Sequence, residues 1–192
     1  MLRRLYDWTI SFAHGPRAAW ALFLVAFAES SFFPIPPDIL LVPMVIAAPE
    51  RAWRYAGIAL LGSVTGGLAG YAIGAFFYDT LGSRILEFYG MTDKFAVFRE
   101  TYNDWGAWAV LIAGLTPFPY KVITILSGTT GLSLPVFMAA SLVARGLRFF
   151  VLAGLLRYFG PPIRGFIEKH LTLVFTLFVV LLVGGFALIR YL

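Results

Sequence analysis

Two apolar stretches of the chain are each interrupted by prolines and charge: Glu29-Ser-Ser-Phe-Phe-Pro34-Ile-Pro36-Pro37-Asp38, and Leu115-Thr116-Pro117-Phe118-Pro119-Tyr120-Lys121. Proline removes a backbone donor and breaks a helix, and hydrocarbon offers nothing to bond the groups set free. Non-helical backbone at membrane depth is therefore tolerated only under a cover of protein or against a wet cavity. Interrupted segments in both halves of such a chain point to a transport site where they meet. The first break carries acids and the second a base.

Composition makes the bilayer the relevant solvent. Hydrophobic residues are 60% of the chain, charged ones 13%, and the mean hydropathy is +0.83, whereas a soluble domain carries about 25% charge. A chain of 192 residues has room for several spans and little else, so a single membrane domain with short loops is expected. The net charge of +5 comes from bases beside apolar runs and from no Lys/Arg block, which fits membrane topology and argues against nucleic acid as a partner. Without cysteine, disulfides, thiol chemistry and Cys-based metal sites are excluded. His14 and His170 lie at opposite ends of the sequence, so neither a metal nor a cofactor is expected. Ala26-Phe27-Ala28 resembles a cleavage site, but Asp7 and Pro16 precede it and cleavage would discard half of a structured element, so no signal peptide is read here.

The pattern along the chain predicts an all-α membrane protein built as an internal repeat. Residues 1–15 mix Leu2, Leu5, Trp8, Ile10 and Phe12 with Arg3, Arg4 and Asp7, as in an interfacial helix. Residues 18–48 form a first re-entrant hairpin, because Ala18 to Phe33 gives only about 24 Å of helix and the hydrocarbon core is ~30 Å thick. Residues 56–78 span. Residues 79–106, rich in both charges, form a surface connector anchored at headgroup level by Tyr89, Tyr102 and Trp105. Residues 107–131 form a second re-entrant hairpin, 134–158 span, and 171–189 span again. Hairpin then span, occurring twice with an odd number of crossings per unit, predicts two inverted halves. In this arrangement one face collects Arg3, Arg4, Arg17, Arg51, Arg54, Arg157, Arg164 and Lys169, and the other only Arg84, Lys94, Arg99 and Arg190. The richer face is cytoplasmic by the positive-inside rule, which puts the N-terminus there.

Gly62, Gly66, Gly70 and Gly74 recur every four residues in the first span. Glycine weakens a helix by roughly 1 kcal/mol in water, so a glycine stripe on one face implies close approach by a neighbouring helix. A smooth wall for a lipid chain is the alternative.

Glu29, Asp38, Lys121, Arg145 and Arg148 lie within apolar segments. Each costs about 2.5–3.5 kcal/mol or more at a helix centre, so they should face one another or water. Arg145 and Arg148, three apart, share a side of their helix and can address one shared cavity, where paired guanidinium groups suit a phosphate. Glu29 and Asp38 are candidate proton carriers. The plainer reading is that the acids pair with the bases and lock the hairpins together. Asn103, Thr116, Tyr120, Thr124, Ser127, Thr129 and Thr130 are expected to satisfy open backbone near the second break. No Ser/His or Cys/His pair and no HExxH motif is present, and an enzyme is not expected.

Taken together, Glu29 with Pro34-Ile-Pro36-Pro37-Asp38, Gly66-Gly67-x-x-Gly70-Tyr71-x-x-Gly74, Pro117-Phe-Pro119-Tyr-Lys121 leading to Ser127-Gly128, and Arg145-Gly-x-Arg148-Phe149 resemble the DedA family. The resemblance is to its small YqaA-like branch, within the wider VTT-domain group. It runs from about Phe27 to Phe159. It implies opposed re-entrant hairpins, a plasma (bacterial inner) membrane location, and movement of phospholipid or polyprenyl phosphate between leaflets, with proton coupling in several members. The family's acids correspond to Glu29 and Asp38, and its arginines to Arg145 or Arg148. Where larger members carry a Gly-Arg-Phe-like element, this chain reads Gly114-Leu115-Thr116, leaving Lys121 to supply the charge. A DedA-like lipid transporter is the resulting expectation, and replacing Glu29 by Gln is expected to abolish transport in folded protein. A proton-coupled small-solute transporter, or a non-transporting scaffold bound through the glycine stripe, are the alternatives. Whether copies assemble into a homo-oligomer is left open.

Overall fold

The computed structural model describes residues 16–33, 35–116 and 118–160. The predicted interfacial helix 1–15, the span 171–189, Pro34 and Pro117 lie outside these residues. The described residues form helices joined by short turns, with no strand among them. Helix α1 is Pro16–Ser31 and α2 is Asp38–Ala47. A 3-10 turn at Pro49–Arg51 leads into α3, Ala52–Phe77, which passes through a π-turn at Tyr78–Gly82 into α4, Ser83–Phe88. Then come α5, Thr92–Leu115, α6, Tyr120–Thr130, and α7, Leu134–Gly160.

Local chemistry accounts for the ends. Pro16 opens α1 at a position that needs no N–H partner, and Asp38 places a negative charge in the first turn of α2. Thr116 is extended, the conformation favoured before a proline, so α5 stops there. Helices α4 and α6 both end in glycine at positive φ, Gly90 at 62° and Gly131 at 66°. In each, the next residue bonds back to the helix: Met91 N–H to Leu86 O at 2.8 Å and Leu132 N–H to Ser127 O at 2.9 Å. Both closures are Schellman motifs.

One boundary differs from the sequence reading. The connector was expected to end at Gly106, yet α5 runs through it unbroken. Gly106 is buried because Leu132 packs where a Cβ would stand, so this glycine serves a close helix contact. The start of α5 pairs with the π-turn that follows α3 through stacked Tyr78 and Phe95 rings, 5.2 Å apart.

Helix α3 is the rail on which the rest is mounted. A Cβ at Gly62 or Gly66 would overlap the carbonyl oxygen of Phe23 or Phe27 on α1. At Gly70 and Gly74 it would overlap Thr124 and the carbonyl oxygen of Ile125 on α6. Gly128 of α6 in turn receives the carbonyl of Tyr71. The glycine stripe thus accepts two neighbours in succession, both running parallel to α3. They meet end to end at Gly70, where Thr124 Oγ1 donates to Ser30 O at 2.9 Å. Helix α7 returns antiparallel, with Trp53 against Gly154 and Leu60 against Gly146. One buried apolar cluster joins α1, α2, the start of α3 and the end of α7; a second joins α5, α6 and the start of α7.

Two helical stretches are long and apolar enough to cross a membrane, Pro49–Phe88 and Leu134–Gly160. The outer surface exposes Trp20, Leu24, Leu61, Phe76, Trp105, Trp108 and Leu147 among many large apolar side chains, a far more apolar exterior than a soluble monomer presents.

Candidate functional site

The two breaks converge between α3 and α7, and four of the five predicted charges meet there. They form two separate ion pairs with different surroundings, where the sequence suggested one shared cavity.

The first pair is sealed. Arg145 Nη2 donates to Glu29 Oε2 at 2.8 Å, with side chains 2% and 15% exposed respectively. Arg145 Nε donates to Ser63 Oγ at 2.7 Å, Ser63 and Ser30 hydroxyls lie 2.8 Å apart, and Ser30 Oγ donates to Glu29 Oε2 at 3.0 Å. Only one proton arrangement fits this ring. Ser30 spends its hydrogen on the carboxylate, so Ser63 donates to Ser30 while accepting from Arg145. The guanidinium is also held between the rings of Tyr120 and Phe149, at 4.8 and 4.7 Å from their centroids, a desolvated cation–π arrangement. Tyr120 is fixed in turn by a 2.5 Å hydrogen bond to Ser141. A buried, hydrogen-bonded ring of this kind rigidifies its surroundings.

The second pair is open. Arg148 Nη2 donates to Asp38 Oδ2 at 2.6 Å, and here the side chains are 25% and 27% exposed. Arg148 Nη1 donates to Thr116 O at 3.1 Å, so this one residue touches the tips of both hairpins. The remaining guanidinium N–H groups have no partner among the described residues, and Asp38 Oδ1 is buried without one. The contrast with the Arg145 ring is one of enclosure: Arg145 is buried within a hydrogen-bonded ring and between two aromatic rings, whereas Arg148 is partly exposed and its acid partner keeps an unpaired oxygen.

Lys121 lies in the first turn of α6, half-buried, with no side-chain hydrogen bond or ion pair among the described residues. Of the prolines at the breaks, Pro37 and Pro119 precede α2 and α6, and the Pro36, Pro37 and Pro119 carbonyls accept the first N–H bonds of those helices. Among the polar residues assigned to the second break, Thr124 binds the carbonyl of Ser30 in the other hairpin. Tyr102, expected at headgroup level, turns inward to Ser127 at 2.9 Å, and Asn103 bonds Thr130 O at 3.1 Å. The sequence reading missed Ser30, Ser63 and Ser141. Their signal was the position of hydroxyls inside apolar helices that also had to bury an arginine. No three His, Asp or Glu side chains converge on a metal position among the described residues.

Fold and site together define, over the described residues, a helical membrane protein in which two carboxylate–arginine bridges tie the first interrupted helix pair to α7, and Arg148 also holds the tip of the second pair through Thr116 O. The chain belongs to the VTT-domain family, the DedA/SNARE-associated group, whose domain matches residues 35–158. It is 32% identical over 186 residues to an uncharacterized protein of Haemophilus influenzae, covering 97% of this chain and 96% of that one. It is 31% identical over 156 residues to an uncharacterized HI0703 homologue of Histophilus somni, covering 81% of each chain. No solved structure matches. The family match takes in Asp38, the glycine stripe, the second break and both arginines, and begins after Glu29.

Proposed function

We propose that this protein carries a phosphate-bearing lipid between leaflets of the plasma (bacterial inner) membrane, through the junction of two re-entrant hairpins. The observation that supports this reading is the Asp38–Arg148 pair, which is partly exposed and joins both tips, with unfilled bonding capacity. A phosphate offers several acceptor oxygens to a guanidinium in the bidentate geometry that suits it. It would compete with Asp38 for Arg148 and gain a second cation from Lys121. Protonation of Asp38 would weaken its hold on Arg148, and that gives a proton a route to couple to lipid binding. Membrane lipids and protons are thus the proposed partners, with no cofactor and no covalent chemistry. The N-terminus is proposed to be cytoplasmic.

The test is purified protein in liposomes carrying leaflet-specific fluorescent phospholipid or polyprenyl phosphate, at two pH values and with an imposed pH gradient. Wild type should translocate lipid, and Asp38→Asn and Arg148→Gln should each reduce the rate at least about tenfold, the equivalent of one lost charge-assisted contact. A proton-coupled carrier should also respond to the gradient in wild type and lose that response in Asp38→Asn. Unchanged translocation in Arg148→Gln, or none of either lipid by folded wild type, would reject the proposal.

A further inference from the structure

The two arginines of α7 face different media. Leu147, Val151 and Leu155 recur every four residues and are exposed, forming one outward stripe. Arg148 borders that stripe, one residue from Leu147 and three from Val151. Arg145 lies on the inner flank with Phe149, enclosed. The exposed chain neighbours of the two groups that Arg148 holds are apolar as well. Ile39 follows Asp38, and Leu115 and Phe118 flank the break whose Thr116 carbonyl Arg148 holds; all three are exposed. A water-soluble solute needs a polar approach. Exposed apolar residues next in sequence to every group that Arg148 holds suit an amphiphile whose charged end turns inward and whose tail stays outside.

We infer that the lipid enters sideways from the bilayer, its phosphate on Arg148 and one acyl chain along the Leu147–Val151–Leu155 stripe between the two hairpin tips. This rests on the lipid-transport reading above and adds to it the route and the residues that line it. The Glu29–Arg145 ring lies behind this path as its wall.

The test uses the full chain in phosphatidylcholine vesicles with a small fraction of phosphatidic acid bearing a photoreactive group on one acyl chain. Diacylglycerol with the same photoreactive chain serves as the probe without phosphate. After irradiation, labelled peptides are mapped by mass spectrometry. Residues 147–155 should be labelled roughly tenfold more by phosphatidic acid than by diacylglycerol, the preference one charge-assisted hydrogen bond supplies. Arg148→Gln should abolish that excess. Val151→Asn should reduce it, while Leu61→Asn, an equally polar change on an exposed face of α3, should not. Equal labelling by the two probes, or an excess that survives in Arg148→Gln, would mean the stripe meets only bulk lipid and would overturn the inference. So would complete displacement of the probe by inorganic phosphate, which enters from water. The readout requires binding and no translocation. Labelling without transport would therefore defeat the transport reading alone, and transport without the labelling excess would defeat this route alone.

Discussion

At the scale of the residue, the two carboxylate–arginine pairs should separate stability from transport. Arg145→Gln leaves Glu29 facing the serine ring without a counter-charge, and breaking a buried pair from one side costs about 3–5 kcal/mol. Thermal unfolding in detergent should show that loss as a clear drop in midpoint. Ser63→Ala removes the acceptor for Arg145 Nε and the donor to Ser30, and should cost about 1–3 kcal/mol by the same measurement. Asp38→Asn should cost under about 1 kcal/mol, because partly exposed pairs contribute little, yet it should lose transport. The sequence singled out Glu29 as the acid to replace. In the structure Glu29 is bound into a closed ring, so Glu29→Gln should act through stability, and Asp38 is the acid free to exchange partners. Equal destabilisation by Asp38→Asn and Arg145→Gln would remove the distinction.

At the scale of the element, the glycines of α3 differ in what surrounds them. Gly66→Ala would drive a methyl into the Phe27 backbone and should separate α1 from α3, seen as loss of monodisperse protein on solubilisation. Gly57 has open space around its Cβ direction, so Gly57→Ala should stabilise by about 0.5–1 kcal/mol through helix propensity alone. The same elements show what could be read beforehand. Proline pairs, the glycine period and lone charges in apolar runs are local signals, and they placed the breaks, the stripe and the candidate charges. Which acid meets which arginine is set by how α1 and α2 sit against α7, more than a hundred residues away in sequence, and no local pattern encodes it. Arg145 and Arg148 misled because three-residue spacing puts side chains on one side of a helix without saying that the side straddles the border between interior and exterior.

At the scale of the whole molecule, the turn at Gly90 and the start of α3 are expected on opposite sides of the membrane. The chain lacks cysteine, so one introduced thiol reports its own position. An impermeant maleimide should label Phe88→Cys in intact cells and reach Arg51→Cys only after permeabilisation; the reverse pattern would invert the proposed orientation. The junction at Gly70 carries a further consequence. Helices α1 and α6 lie head to tail along α3 like two pieces of a single rod, although Ser30 and Thr124, which touch there, come from opposite halves of the sequence. What joins the pieces is contact with α3, not the covalent chain between them. Cutting the polypeptide at the exposed Gly90 turn should therefore leave two fragments that co-purify and restore transport when made together, each of them supplying half of a helix that neither possesses.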